Sequence, residues 1–500
     1  MRHRLLALLA GVCVLFPALG VETALADPPS AEQIVGQVAQ AQQLAESAAA
    51  AAQQATSNGN VAVRVLSPGD DGSVSQENNV SAKSEAKNEN ETTQDAAQSQ
   101  PGGEDACGCT EGATGTQSVG QAAQNEQEAK SGALAVQKDA TNKNVAVRVL
   151  SPGNDGDVSQ KHDVSAESKA KNDNETSQHA AGTDGGSGST GVQAGGQVAK
   201  NDQDAKSAAL AVQKGASNQN ISVRVLSPGD DGSVTQENSV SAKSEAKNDN
   251  ETTQTAGQTH GDGKDSCRCS KGGTDVQGAG QLAENEQAAA SGAIAIQKGA
   301  SNKNVSVRVL SPGDDGSVTQ ENSVSADSKA KNENETNQDA AQIGGGGGPG
   351  STGIQAGGQL AKNDQDAASL AFAFQSGASN LSVPVRVLSW DGGGSVSQTN
   401  DVSAESEAKN ENETTQNATQ TQTGSDRCGC QAGETRVPVI GQAALSHQHA
   451  ASIALAAQLG EKKSRCECRP DDDKRDGAQA GKWQEPAGPA RRPIGGDASD

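Results

Sequence analysis

Along residues 74–94 the chain changes character at every step. Val74, Gln76, Asn78, Val80, Ala82, Ser84, Ala86, Asn88, Asn90, Thr92 and Gln94 are uncharged, while the residues between them, from Ser75 and Glu77 to Glu91 and Thr93, are mostly charged. A period of two is that of an extended strand, whose side chains point to opposite faces in turn. The stretch returns from Val158, Val234, Val318 and Val396. Across these copies the uncharged set changes once, at His162, whereas the charged set varies: Glu77 becomes Lys161 and Thr399, and Lys83 becomes Glu167 and Asp327. Sameness that sorts by face marks one side as inward, with Gln76, Asn78, Asn88, Asn90 and Gln94 as its stacking residues.

A second segment precedes each copy and starts at a Gly-Gln step, at Gly36, Gly120, Gly196, Gly280, Gly358 and Gly441. Helix competes with strand here, because Ala, Gln, Glu and Lys are good helix formers, above all over Ala48 to Ala52. The larger apolar residues decide for strand. They come two apart, as in Leu134/Val136, Leu210/Val212, Ile294/Ile296 and Phe372/Phe374, which is one face of a strand and opposite sides of a helix. A linker such as residues 140–144 then leads into a short apolar strand, Val145, Val147 and Val149. A Ser-Pro-Gly-Asp-Asp-Gly turn follows, in which Pro fixes one dihedral and Gly supplies positive φ. The loop after the long strand alternates between a C-x-C pair and a Gly-rich run, so the full repeat is a pair of units.

These elements predict an all-β, repetitive solenoid of stacked β-arches with about 5.5 units; helical Ala/Gln segments or a largely disordered chain are the alternatives. The expected divisions are a secretory signal (1–26), a lead (27–35), units at 36–119, 120–195, 196–279, 280–357 and 358–440, a partial unit at 441–460, and a disordered charged tail (461–500). A strand of 21 residues would extend ~70 Å, so kinks or arches are expected. Single strands of this kind would not hold, whereas stacked copies place identical amides ~4.8 Å apart.

Composition narrows the class. Hydrophobic residues make up 32%, much of it alanine, and after residue 26 the only aromatics are Phe372, Phe374, Trp390 and Trp483. An ordinary core of large side chains cannot be built from that. The net charge of −23 argues against nucleic acid and anionic membranes, which select Lys and Arg clusters. Arg2 and Arg4, the apolar run from Leu5 to Leu19 and Ala24-Leu25-Ala26 form a signal peptide, and no second apolar run offers a transmembrane segment. The expected location is extracellular, with cell-wall or matrix contact.

The Gln-x-Ala-x-Asn-x-Gln spacing of Gln197, Ala199, Asn201 and Gln203, and the Val-x-Gln-x-Asn spacing of Val74, Gln76 and Asn78, resemble curlin-type amyloid repeats. The Val-Arg-Val-Leu-Ser-Pro-Gly-Asp-Asp-Gly-Ser-Val-Ser-Gln run from Val63 is similar to repeats of uncharacterised secreted proteins of high-GC Gram-positive bacteria. The first resemblance implies stacked β-architecture; the second brings no activity.

Candidate chemistry is sparse. Ser84 and Lys87 have the Ser-x-x-Lys spacing of penicillin-recognising enzymes, but on a strand a three-residue offset puts them on opposite faces. The turn acids Asp70, Asp71, Asp230, Asp231, Asp314 and Asp315 are weak candidates for Ca²⁺, which takes several oxygen ligands; a polar turn is the plainer reading. Asn90-Glu91-Thr92 matches a glycosylation acceptor but falls on the inward face. Cys107/Cys109, Cys267/Cys269, Cys428/Cys430 and Cys466/Cys468 are disulfide candidates in a secreted chain. Loops two units apart lie ~9.6 Å from one another, too far to bridge, so the pairs close on themselves or cross-link to another molecule. A catalytic site is normally unique, and this chain offers one surface five times. A non-enzymatic structural or cell-surface protein without cofactors is expected; an extracellular binding module, adhesin-like or Ca²⁺-loaded, and a disordered hydration polymer are the rivals.

Overall fold

The computed structural model describes residues 31–100, 114–184, 190–260, 274–344, 352–390, 392–422 and 435–460. Each turn of the chain, here a coil, contributes one strand to each of three parallel sheets. The first sheet holds β1 (Ala31–Gln54), β4 (Thr114–Lys138), β7 (Thr190–Lys214), β10 (Thr274–Lys298), β13 (Thr352–Ser376) and β16 (Thr435–Leu459). The short second sheet holds β2 (Ser57–Val65), β5 (Thr141–Val149), β8 (Ser217–Val225), β11 (Ser301–Val309) and β14 (Ser379–Val387). The third holds β3 (Val74–Gln100), β6 (Val158–Asp184), β9 (Val234–His260), β12 (Val318–Gly344) and β15 (Val396–Gln422). The chain is thus a β-solenoid, as its pattern predicts, and no described residue is helical, Ala48 to Ala52 included. The long strands run uninterrupted for 27 residues. Each first strand starts five or six residues before its Gly-Gln step, so the coils begin at 31, 114, 190, 274, 352 and 435 rather than at those glycines.

Every strand pairs in register with its own copy, Gln76 with Gln160 and Asn88 with Asn172 for example. The first and third sheets face each other. Between them lies an interior of small apolar groups, Val164, Ala166, Ala209, Ala211, Val240 and Ala242 among them, each at most 2% exposed. Small side chains let the sheets approach, and the amides fill what remains. Gln76, Asn78, Asn88 and Gln94 are buried; Asn90 is half-buried in the outermost coil, while its equivalents Asn174 and Asn250 are buried.

These amides form columns. Glutamines donate toward the N-terminal end: Gln197 Nε2 to Gln121 Oε1 at 2.9 Å, Gln281 to Gln197 at 2.9 Å, Gln359 to Gln281 at 2.8 Å. Asparagines donate the other way: Asn88 Nδ2 to Asn172 Oδ1 at 3.0 Å, Asn172 to Asn248 at 2.9 Å, Asn248 to Asn332 at 3.0 Å. Most also donate to a backbone carbonyl across the interior, as Asn248 does to Ala288 at 2.7 Å and Gln281 to Gln254 at 2.8 Å. Serines cross-link the sheets in a zigzag. Ser131 Oγ donates to Ser84, Ser168 to Ser131, Ser207 to Ser168 and Ser244 to Ser207, each at 2.9 Å. A buried polar group costs little once hydrogen-bonded, which is how a chain so poor in large apolar groups fills an interior.

The two faces should respond differently to one-atom changes. Asn248→Asp faces the Gln203 and Ala288 carbonyls and the Asn332 oxygen, all acceptors, and should cost about 3 kcal/mol or more, the range for an unpaired buried charge. Glu245→Gln only weakens a half-exposed pair with Lys169 at 3.0 Å and should cost under about 1 kcal/mol. Urea midpoints of the two variants check this; equal shifts would refute the assignment of faces.

Candidate functional site

The short strand turns its polar side inward. Asn142, Asn144, Ala146 and Arg148 are buried, and Val145, Val147 and Val149 lie on the outer side, half-buried. In the first coil Val61, Val63 and Val65 are more than half exposed. The strand begins at Thr141, so the expected linker shrinks to Asp139-Ala140. A left-handed leucine makes the corner after each short strand: Leu66, Leu150, Leu226, Leu310 and Leu388 all have φ of 50–54°.

Turning Arg inward aims it at the following turn, where the acids wait. Arg224 is fully buried. Its Nε binds Asp231 Oδ1 at 2.6 Å, Nη2 lies 3.0 Å from Asp155 Oδ1, Nη1 donates to Gly153 O at 2.8 Å, and Nη2 donates to Asp230 O at 2.6 Å. Arg148 repeats this with Asp155 at 2.6 Å and Asp71 at 2.9 Å, and Arg308 with Asp315 at 2.8 Å and Asp231 at 3.1 Å. Arg64 pairs with Asp71, and Arg386 reaches Asp315 at 2.9 Å. The outcome is one column in which Arg and Asp alternate from the first coil to the last. Burial pushes the Asp231 carboxyl up, but Arg308 and Arg224, with a hydrogen bond from Ser306, outweigh it and hold the group below the usual carboxylate range.

The turn carries two glycines for different reasons. Gly153, Gly229 and Gly313 have φ of 134–137°, and a Cβ on Gly229 would sit 2.2 Å from Gly153 O. The second glycine, Gly156, Gly232 or Gly316, has no positive φ; a Cβ on Gly232 would meet Gly156 O at 2.3 Å. Close approach of stacked backbones, not only the dihedral, demands glycine there.

The stacked turns engage five of the six candidate Ca²⁺ carboxylates, three of them in this column. Asp71, Asp231 and Asp315 each lie between two guanidinium groups. Asp70 Oδ1 accepts the Asn154 amide at 2.6 Å, and Asp230 Oδ1 the Asp314 amide at 2.9 Å. Asp314 gives its backbone carbonyl to Arg308. Among the described residues no group of three or more His, Cys, Asp or Glu could hold a metal ion. Ser84 is inward and Lys87 outward, so the Ser-x-x-Lys pair is not assembled. Asn174, in an Asn-Glu-Thr step, spends its amide on Asn250 at 2.7 Å. The eight candidate disulfide cysteines, Cys107, Cys109, Cys267, Cys269, Cys428, Cys430, Cys466 and Cys468, lie outside the described residues.

The outer face of the third sheet pairs opposite charges in part of its length. Lys83, Glu167, Lys243 and Asp327 stack in one column, and Glu85, Lys169, Glu245 and Lys329 in the next. In these two columns sign alternates through the first four coils, giving Lys83–Glu167 at 3.3 Å, and Lys161 meets Glu237 at 3.4 Å; the alternation ends where Asp327 meets Glu405 and Glu237 meets Glu321. Like charges directly opposite would repel. Lys87, Lys171, Lys247, Lys331 and Lys409 do stack on one another, but each has an acid two residues on, such as Asp173 at 2.9 Å from Lys171. Glu91, Glu175, Glu251, Glu335 and Glu413 stack with no cation interleaved. Burial, then Glu335 and Glu175, raise the Glu251 carboxyl.

His162 takes its place in the asparagine column, paired in register with Asn78 and Asn238. Its Nδ1 lies 3.3 Å from Asn78 Nδ2 and its Nε2 3.3 Å from Ser217 O. A neutral ring protonated on Nε2 serves both, accepting from the amide and donating to the carbonyl. Burial lowers its pKa to about 4, against a smaller upward pull from the Ser217 carbonyl. No family model, curated protein or solved structure matches the chain, so its own geometry carries the functional argument.

Two measurements test this region. Arg224→Ala leaves Asp155 and Asp231 facing each other in the interior and should cost about 3–5 kcal/mol in denaturant unfolding; a loss under about 1 kcal/mol would mean the column is solvated. For His162 the unfolded chain binds the proton more readily than the folded one. Its contribution is therefore complete above about pH 6.5 and is lost as pH falls toward 4, on the order of 2–3 kcal/mol in all. Between about pH 6.5 and 4 the native chain should lose more stability than His162→Asn, read as the difference between their urea midpoints; an NMR pKa at or above ~6.5 would refute the prediction.

Proposed function

We propose that this chain is a secreted, non-enzymatic structural protein of the cell surface or extracellular matrix, a rigid repetitive body whose work is done by its outer faces. One observation carries the reading: the side of the strands that stays the same from repeat to repeat is consumed by contacts with its own copies. The inward Gln, Asn, Ser, Arg and Asp groups bond to one another or to the backbone, so the most sequence-constrained residues serve the stack itself. The signal peptide read from residues 1–26 supports an extracellular place. A second reading, an extracellular binding module, draws on the Glu91 to Glu413 column, a repeated acidic surface suited to a basic partner.

Localisation and loss of function test this together. An epitope-tagged chain in its native host should appear on the cell surface or in the matrix, and its deletion should weaken mechanical or detergent resistance of the envelope. Retention inside the cell would sink the proposal. A surface protein whose deletion leaves the envelope intact, and which elutes from the cell wall with about 1 M salt, would favour the binding module.

A further inference from the structure

Among the described residues both ends of the stack carry unpaired sheet edges, and an open edge is a template for another strand. The two ends are built differently. Among the described strands proline occurs only at Pro384 in β14 and Pro438 in β16, and each of these strands is the last of its sheet at the C-terminal end. Neither proline disturbs the sheet it belongs to. The Ser379 amide points back to Ala300 O, and amides alternate in direction along a strand in a sheet. The amide position of residue 384 therefore points away from β11. In β13 the Gly377 amide points forward to Leu459 O; by the same alternation so does Gln355, whose register partner is Pro438. Each proline deletes an amide that would have met a further strand.

Two other features stop at the same place. Gln117, Gln193 and Gln277 each receive the amide of the next glutamine, but Gln355 Oε1 is buried without a partner because Pro438 follows it. In the Arg/Asp column every arginine leans on the acid of the preceding coil, Arg148 on Asp71, Arg224 on Asp155, Arg308 on Asp231 and Arg386 on Asp315. The fifth coil has Gly393 at the position of those acids. An arginine stacked above it would find no carboxylate at the position where each preceding coil supplies one, a costly loss for a buried guanidinium. β1, β2 and β3, the edges of the opposite end, contain no proline.

We propose that the C-terminal end of the solenoid is a built stop, which prevents a second copy of this chain from adding its strands and so fixes the length of the stack. A second copy is the occupant to be refused, because strands of this register and side-chain order are what the edge is shaped to accept, and other copies supply them at every encounter.

β16 fills the first-sheet place of a sixth coil, and among the described residues no short or long strand follows β14 and β15 in their sheets. The probe is therefore a fluorescent synthetic peptide of residues 217–258, which carries one strand of each kind. It is titrated into the full mature chain and into Pro384→Ser/Gly393→Asp, with anisotropy as readout and circular dichroism confirming an unchanged β signal. The double variant should bind at least roughly tenfold more tightly than the native chain. Gly393→Asp alone, where an added Cβ meets nothing within 4 Å, should bind between the two and guards against misfolding of the double variant. Equal affinity for all three chains, binding to none, or head-to-tail fibres of the native protein in electron micrographs would each overturn the proposal.

Discussion

The structure depends on one constraint: each buried side chain must lie directly over its own copy. An amide placed between two identical amides can donate to one and accept from the other, and its second hydrogen reaches a backbone carbonyl across the interior, as in Asn248. Buried polar surface then needs no large apolar neighbours to compensate for it. Alanine serves the same end by keeping the facing sheets close enough for those cross-contacts. A slip of one residue would bring Lys87, Glu89 and Glu91 inside, so register and stability are the same property here.

The turn obeys that rule with charges in place of amides. Arginines stacked in register would repel without a counter-charge, so each coil supplies both Arg and Asp, and the two interleave down the column. Buried ion pairs are weak evidence for stability, and their best-attested role is in fixing registry. Here they lock the turns layer to layer at a corner where the backbone passes glycine over glycine.

Much of this was legible in the chain itself. The long strands alternate over so many residues that their period and inward face could be read directly, and the single exception, His162, could be placed between Asn78 and Asn238. The short strand was harder. Its valines attract attention as a core, but they face outward, because a strand with Asn142, Asn144 and Arg148 on its other side has more to gain by pairing those groups than by burying valine. The unchanging Asn and Arg positions, Asn58, Asn60 and Arg64 in the first coil, carried the signal. The Asp turns looked like open oxygen clusters because the Arg that closes them lies seven residues earlier, or more than 70 residues away in the next coil. Only the stacking brings it near.

The opposed directions of the two kinds of amide column have an electrical consequence. Each amide has a dipole of about 3.5 D, and a head-to-tail column adds them, as a helix does. A stack with all columns parallel would build a potential that grows with every coil and would charge its two ends. Among the described residues, glutamine columns begin at Gln37, Gln43, Gln53, Gln76, Gln94, Gln117 and Gln258, and asparagine columns at Asn58, Asn60, Asn88, Asn90, Asn125 and Asn238. The two sets oppose each other in nearly equal number. The interior is antiferroelectric, and its polarisation stays small however many layers are stacked.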